Sequence, residues 1–527
     1  MRMVLLTLAW VLPLAAQAPK PALAPVSVAV HGAAGEVDGS LTVVRSGRRT
    51  YLVDCGIHLR EDPERPAANA ELPVKASEVD AVFITHAHSD HMGRLPLLVR
   101  RGYKGPIHCT RTTELLLAQA LPQSIGMDRS APRLWTYAAG RASSSRRGQA
   151  AHFHSGCSGV KRMQPGNRAV FSGTLDELER KLPRGAFACR ECSGYEAKAI
   201  LDQVKGHAYG ERLPLEDGGA FTLLDAGHIP GSASVLLELG GRRLLFSGDL
   251  GHPLSPLQPS APPAPPVDAV WVESTYGGQV RKPEVAKEAS EFVKAAAEGL
   301  KAGGIVWIPA YALDRTQKVL YLIRRAQALN QLPFETPVYV QSRTALAYTV
   351  LYEKEAEHPA LERWFKPEVY KVGGLLPGKL ESRVPADLKG PCILITTTFA
   401  LDEPDDEELV ANRLADPSTR LLLVGYSDPE ATGGQLRKIA ASGQGGEITV
   451  GERTVKIQAG QVRSFRFLSG HLDAGDLAAW LSKQDKDKVR VTCVHGEPEG
   501  LKQNAETLRA AGFRNVGVAE RGKAQAF

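Results

Sequence analysis

Residues 85–91 read Thr-His-Ala-His-Ser-Asp-His, placing four metal-ligating side chains, His86, His88, Asp90 and His91, within six positions. Imidazole and carboxylate together suit zinc and related first-row ions. The cluster follows directly on a run rich in β-branched and aromatic residues, 81–85, which predicts a strand. In a turn leaving a strand, alternate residues can face one pocket and the next pair another. His86 and His88 can therefore hold one ion while Asp90 and His91 hold a second. A polar solvated loop rarely concentrates ligands at this spacing.

A second ligand pattern combines His154-x-x-Cys157 with Cys189-x-x-Cys192. Two paired spacings of this kind suit a structural zinc ion, with His152 able to replace His154. A disulfide is the alternative in an oxidising compartment, including one directly across Cys189 and Cys192. The pattern lies in a segment, 127–195, that carries three of the chain's seven cysteines. Between 127 and 175 its one acid, Asp128, stands against eight basic residues. That composition predicts an inserted surface module whose bases could meet a polyanion or simply be solvated.

The elements that must position these groups come from a chain of 527 residues, three or four domains' worth of material on a prior of roughly 150 residues each. Hydrophobic residues at 43% and charged residues at 23% exclude a disordered, collagenous or polytopic membrane protein. A net charge of +6 permits a polyanionic partner without demanding one. Aromatics at 6% argue against binding built mainly on base stacking. Seven cysteines are too few for a disulfide scaffold.

The amino terminus has the pattern of a secretory signal: Arg2, an apolar run over 4–16 and an Ala16-Gln17-Ala18 exit. It predicts removal of residues 1–18 and a periplasmic or extracellular product; Pro13 within the run and Pro19 after the exit weaken the pattern, and the alternative is a cytoplasmic protein with a mis-assigned start. No other segment reaches about 18 apolar residues, so stable membrane insertion is not expected.

Further along, strands are expected at 50–54, 221–225, 235–239 and 243–247, and a helix at 92–101. Seven prolines over 253–268 predict an extended surface loop. Strand 269–273, helix 284–301, strand 304–309, helix 314–329 and strand 337–341 then alternate, followed by strands near 392–397 and 420–425. Such alternation implies a parallel sheet covered by helices.

The HxHxDH run resembles the signature of the metallo-β-lactamase fold, and other positions match that family in order. Asp54, in Leu-Val-Asp-Cys-Gly, matches its buried aspartate after an early strand. His228, in Gly-His-Ile-Pro-Gly, matches its third histidine, and Asp249, in Ser-Gly-Asp-Leu-Gly, its bridging aspartate. The last histidine candidate, His495 in Val-His-Gly-Glu, lies far downstream, with the strand–helix alternation between it and Asp249. This resembles the β-CASP group, the RNA- and DNA-processing nucleases related to the cleavage-and-polyadenylation endonuclease. Two further marks match: Glu273 in Glu-Ser-Thr-Tyr-Gly and His471 in Ser-Gly-His-Leu-Asp.

The resemblance implies an αββα sandwich from 27–275 and 445–527, carrying the 127–195 insertion, with a β-CASP-like α/β domain at 276–444. It implies two zinc ions, one held by His86, His88 and His228, the other by Asp90, His91 and His495, with Asp249 bridging. Two divalent ions roughly 3.5–4 Å apart turn a bridging water into hydroxide near neutral pH and screen a phosphodiester under attack. Asp54 would orient the ligand loop from behind. His471, held by Glu273, would be the general acid or a substrate-binding residue. A third, structural zinc would belong to His154, Cys157, Cys189 and Cys192.

The activity implied is that of a di-zinc phosphodiesterase, an RNA endonuclease with RNA favoured over DNA as partner. An exported hydrolase of another phosphodiester or ester is the alternative. A non-catalytic nucleic-acid-binding subunit is disfavoured, because every ligand position is kept. Self-association into a homodimer is left open. One departure bears on substrate: where relatives carry a Ser-Gly-Met segment, this chain has Thr397-Thr398-Phe399 followed by acids over 402–408. Those acids either line the groove and repel phosphate or form an acidic helix start.

Overall fold

A computed structural model describes residues 24–59, 65–127, 194–280, 282–357, 364–372, 374–397, 401, 407–425 and 427–527. The amino-terminal 1–18 segment, His154, Cys157, Cys189, Cys192 and the acids at 402–406 lie outside the described residues. The four cysteines within them, Cys55, Cys109, Cys392 and Cys493, are buried and free.

Two seven-stranded sheets form the core. The first runs, in spatial order, Ala524–Ala526, Val26–Gly32, Leu41–Ser46, Arg49–Val53, Ala81–Phe83, Ile107–Thr110 and Val204–His207. The second runs Asn515–Val518, Arg490–Val494, Ala269–Glu273, Arg242–Phe246, Ala233–Leu239, Ala220–Asp225 and Arg212–Pro214. Period-two alternation gives each sheet two apolar faces. Val44, Tyr51, Val53 and Phe83 pack against Phe221, Val235, Phe246 and Trp271 between the sheets. Val43, Leu52 and Val82 turn outward to Leu116, Leu117 and Leu121 of the helix Arg111–Met127. Leu245, Val270 and Val491 do the same toward Trp480 and Leu501. The result is four layers, helix–sheet–sheet–helix.

Between Glu273 and Arg490, two strands that pair directly in parallel, the chain builds a third sheet. Its six strands, Lys379–Glu381, Pro337–Gln341, Cys392–Thr396, Ile305–Pro309, Arg420–Leu423 and Val462–Ser464, are all parallel. Helices Lys282–Lys301 and Arg315–Ala328 cover one face through Phe292, Val319 and Ile323. Helices Glu407–Ala415 and Thr432–Ser442 cover the other through Val410 and Leu436. This sheet keeps the chain as far as Ser464, beyond the expected return to the core at 445.

Two local expectations are corrected. The helix expected over 92–101 is split into Ser89–Met92 and Leu95–Arg100, because Arg94 N–H donates to the Cys55 carbonyl at 2.8 Å and not to the turn before it. The proline-rich stretch is not purely surface. Leu257 and Ala264 are buried in two core clusters, and Gln258 donates to Asp314 Oδ1 at 2.7 Å, pinning the inserted domain to the sandwich. Lys366 adds bonds from its ammonium to the carbonyls of Pro253 and Ser255.

The ligand loop depends on a close backbone crossing. Cys55 N–H donates to the His91 carbonyl at 2.7 Å and Ser40 N–H to the Asp90 carbonyl at 2.8 Å. A Cβ at Gly56 would lie 1.6 Å from the Asp90 carbonyl oxygen. Gly56→Ala must therefore push the two segments apart, at a cost of about 2–3 kcal/mol or more. The expected outcome is a lower thermal midpoint by calorimetry, accompanied by reduced metal content.

Candidate metal centre and active site

The ligand loop leaves the strand Ala81–Phe83 at the sandwich edge, and Asp54 anchors it from behind. Asp54, 2% exposed, adopts a left-handed backbone (φ 62°) at the end of the neighbouring strand, which turns its carboxylate into the loop. Its Oδ1 accepts from Thr85 N–H at 2.8 Å; its Oδ2 accepts from Thr85 Oγ1 at 3.0 Å and from His91 Nδ1 at 2.7 Å. With Nδ1 of His91 donating to Asp54, its Nε2 is the atom presented to the site.

Two donor groups meet at Asp249. In one, His86 Nε2 is 3.0 Å from His88 Nδ1, His228 Nε2 is 3.4 Å from the same atom, and Asp249 Oδ2 is 3.6 Å from both His86 and His228. In the other, His91 Nε2 is 3.3 Å from His495 Nε2. Asp249 Oδ1 lies 3.3 Å from His91 and 3.4 Å from His495, and Asp90 Oδ2 lies 3.5 Å from each. The structure thus brings together all seven residues expected as ligands, and within each group the donor atoms lie within 4.8 Å of one another.

Burial pushes His86 and His228 well below the usual imidazole range and also lowers His88, which favours the neutral form that carries a free lone pair. Burial opposes the charge on Asp249, but His495, His91 and His471 outweigh it and hold the carboxyl well below its usual range. Burial likewise opposes protonation of His91 and His495. Asp249 with Asp54 and Asp90 outweighs it for His91, and Asp249 with Asp90 for His495, which rises to about 9.

This donor set fits divalent metal. Asp249 Oδ1 is buried without a hydrogen-bond partner among the described residues. Imidazole nitrogens aimed at one another would repel through their lone pairs unless a proton or cation lies between. Two nitrogens each about 2.0–2.1 Å from one tetrahedral ion stand roughly 3.3 Å apart, close to the spacings found.

A third constellation borders the first two. Glu273, fully buried at the end of its strand, accepts from Leu250 N–H at 2.9 Å, which braces the Asp249 loop. His471 Nδ1 lies 3.1 and 3.2 Å from the two Glu273 oxygens, and the ring is 18% exposed, open to a substrate. Thr275 was not expected. Its Oγ1 is 3.2 Å from His471 Nδ1 and 3.0 Å from His495 Nδ1, joining the acid–histidine pair to the metal side. Its signal lay in the Glu-Ser-Thr segment, two residues beyond Glu273. His58 sits with Glu36 and Asp38, and His252 with Asp473 and Asp476, in two further acid–histidine clusters.

A four-layer αββα sandwich with histidines and aspartates gathered at one edge, and a parallel α/β domain inserted in it, defines a metallo-β-lactamase-fold hydrolase of the β-CASP type. Comparison with known proteins agrees. Residues 34–276 match the metallo-beta-lactamase superfamily, 316–436 the Beta-Casp domain, and 454–517 the Zn-dependent metallo-hydrolase RNA specificity domain. The chain is 30% identical over 488 residues to Ribonuclease TTHA0252 of Thermus thermophilus, covering 89% of this chain and 93% of that protein. It is 26% identical over 502 residues to transcription termination factor FttA of Methanocaldococcus jannaschii, covering 92% and 69%. It is 24% identical over 444 residues to the probable RNase MJ4 of that organism, covering 82% and 85%. The chain belongs to the β-CASP family of the metallo-β-lactamase superfamily.

Two predictions follow from this geometry. Asp54→Asn removes the charge beside His91 and turns one of the two accepting oxygens into a donor, and metal affinity should fall about 10- to 100-fold in a competition titration against a chelator. The second concerns pH. In the metal-free protein His495 keeps its proton up to about 9, against an ordinary value of 6.5. A raised value stabilises the fold fully below 6.5 and is lost as pH climbs through about 9, so metal-free protein should lose stability across that window. Metal must displace the same proton, so affinity should rise over the window, with proton release visible as buffer-dependent heat in calorimetry.

Proposed function

We propose that the protein is a zinc-dependent ribonuclease that cuts single-stranded RNA at internal phosphodiesters. His86, His88 and His228 would hold one ion and Asp90, His91 and His495 the other, with Asp249 shared. Bound there, such ions activate water and neutralise charge on the phosphoryl oxygens. The observation that carries the reading is the pairing of His471 with buried Glu273 at the border of both donor groups. Phosphodiester cleavage needs a proton for the leaving oxygen, and a partly exposed imidazole fixed by a buried carboxylate can deliver one. Glu273 sets the orientation of the ring through Nδ1, and Thr275 keeps it in register with His495. The relatives named as ribonucleases and the RNA specificity domain favour RNA over other phosphodiesters.

The test is cleavage of end-labelled single-stranded RNA by the zinc-loaded chain beside an Asp90→Ala/His91→Ala variant. Internal cuts made only by the intact site are expected. No cutting of RNA, with hydrolysis of a small aryl phosphodiester retained, would move the assignment to another ester. His471→Ala should slow RNA cleavage by about 10²- to 10⁴-fold with zinc content unchanged by elemental analysis. Loss of zinc in that variant would remove its role as proton donor.

A further inference from the structure

In open parallel sheets ligands gather beyond the carboxyl ends of the strands. Three adjacent strands of the third sheet, Ile305–Pro309, Arg420–Leu423 and Val462–Ser464, end side by side. The residues that follow them converge. Arg315 Nη1 donates to the Val424 carbonyl, and its guanidinium lies 5.7 Å from the centre of the Tyr311 ring. Arg437, on the helix Thr432–Ser442, donates through Nη1 to Ser464 Oγ. Arg466 donates to Gln279 Oε1 at 2.6 Å. Tyr276, whose ring centre is 6.3 Å from that of His471, completes the border toward the proton donor.

Arg437 is the informative member. It is partly buried, and its Nε has no hydrogen-bond partner among the described residues. No carboxylate among them pairs with it; the neighbours that act on its charge are Arg315, Tyr276, Tyr311 and Arg466. Burial first, and then the neighbouring Arg315 guanidinium, depress its basicity. A half-buried cation with no carboxylate partner among the described residues, beside two others of the same sign, costs free energy that an anion would recover. The planar fork of arginine matches phosphate oxygens in pairs.

We propose that Arg437, flanked by Arg315 and Arg466, forms a subsite for a phosphate of the RNA strand adjoining the one being cut. The proposal rests on the ribonuclease reading and adds a grip that holds the strand while His471 reaches its leaving oxygen.

Binding of a short fluorescent single-stranded RNA to the zinc-loaded full chain, in a His471→Ala background that slows cutting, is to be followed by anisotropy over a range of salt concentrations. Arg437→Gln is expected to weaken binding about tenfold and to flatten the salt dependence by about 0.7, the share of one phosphate contact on a single strand. Arg437→Lys should restore most of the salt slope, which a merely structural arginine would not do. Arg463→Gln serves as control: it removes a cation on the same terminal strand that lies 5.7 Å from the centre of the Phe465 ring and 3.8 Å from Glu298, and should change neither quantity. Comparing 5′-phosphorylated with 5′-hydroxyl RNA separates the sources. A loss confined to the former assigns a terminal phosphate, and an equal loss in both assigns a backbone phosphate. Unchanged affinity and slope in Arg437→Gln, or an equal loss in Arg463→Gln, would overturn the subsite while RNA cleavage by the unmodified chain still stood. Failure of the unmodified chain both to cut and to bind RNA would instead bring down the ribonuclease reading and the subsite with it.

Discussion

Asp249 is the charge around which the molecule is arranged. Its carboxylate is 2% exposed and is approached by His86 and His228 at one oxygen and by His91 and His495 at the other. A buried ionised carboxylate is tolerated only with charge and donors around it. The chain meets this demand by sending loops from both sheets to one edge of the sandwich. These loops bond to one another. Ala233 N–H donates to Thr85 at 2.8 Å, Gly251 N–H to Ala226 at 2.7 Å, Ser274 N–H to His495 at 3.1 Å, and His495 N–H to Ala33 at 2.7 Å. The fixed backbone lattice lets imidazoles stand nitrogen to nitrogen, an arrangement that isolated flexible loops would relax away.

How much of this could be read from the chain depends on the sequence distance over which each feature is encoded. The HxHxDH turn is local, and its four ligands were legible from spacing alone. The alternation of strand and helix after residue 269 was also legible, because each element is long enough to show its period: the expected strand 269–273 is observed as Ala269–Glu273 and the helix 314–329 as Arg315–Ala328. Asp54, His228, Asp249 and His495 carry no local signal of metal chemistry and were found only through resemblance, since what unites them is the register of strands far apart in the chain. Thr275 and Arg437 escaped for the same reason. Thr275 matters because of His471 and His495, and Arg437 because of Ser464 and Arg315, and neither relation is written in a window of sequence. The strand Val462–Ser464 has three residues, too few for any periodicity to declare it.

The acidic segment after Thr397 presented two readings, and its described part bears on one of them. Glu407 and Glu408 occupy the first turn of the helix Glu407–Ala415, where the helix dipole favours negative charge. Glu407 reaches toward Gly451, at the turn of the hairpin formed by Gly446–Val450 and Arg453–Ile457. Val450 and Val455 of that hairpin pack with Val410 on the outer face of the third sheet, so these two acids belong to a helix start.

The passage from the third sheet back to the sandwich joins the two halves of the proposed chemistry. Ser464, the partner of Arg437, ends the last strand of the inserted domain. Phe465 and Phe467 then bury themselves in that domain's core beside Phe292. A few residues later Leu472 is buried in the sandwich, and its N–H donates to the Leu250 carbonyl at 3.0 Å. His471 therefore rides on a short tether anchored in both bodies. It is clamped to the Asp249 loop by the backbone bridge to Gly251 and by Glu273, yet stands only five residues along the chain from Arg466. The histidines His86, His88, His91 and His228 stand instead on loops that begin and end within the sandwich. His471, the proposed proton donor, thus sits on a segment that runs directly from the inserted domain into the sandwich.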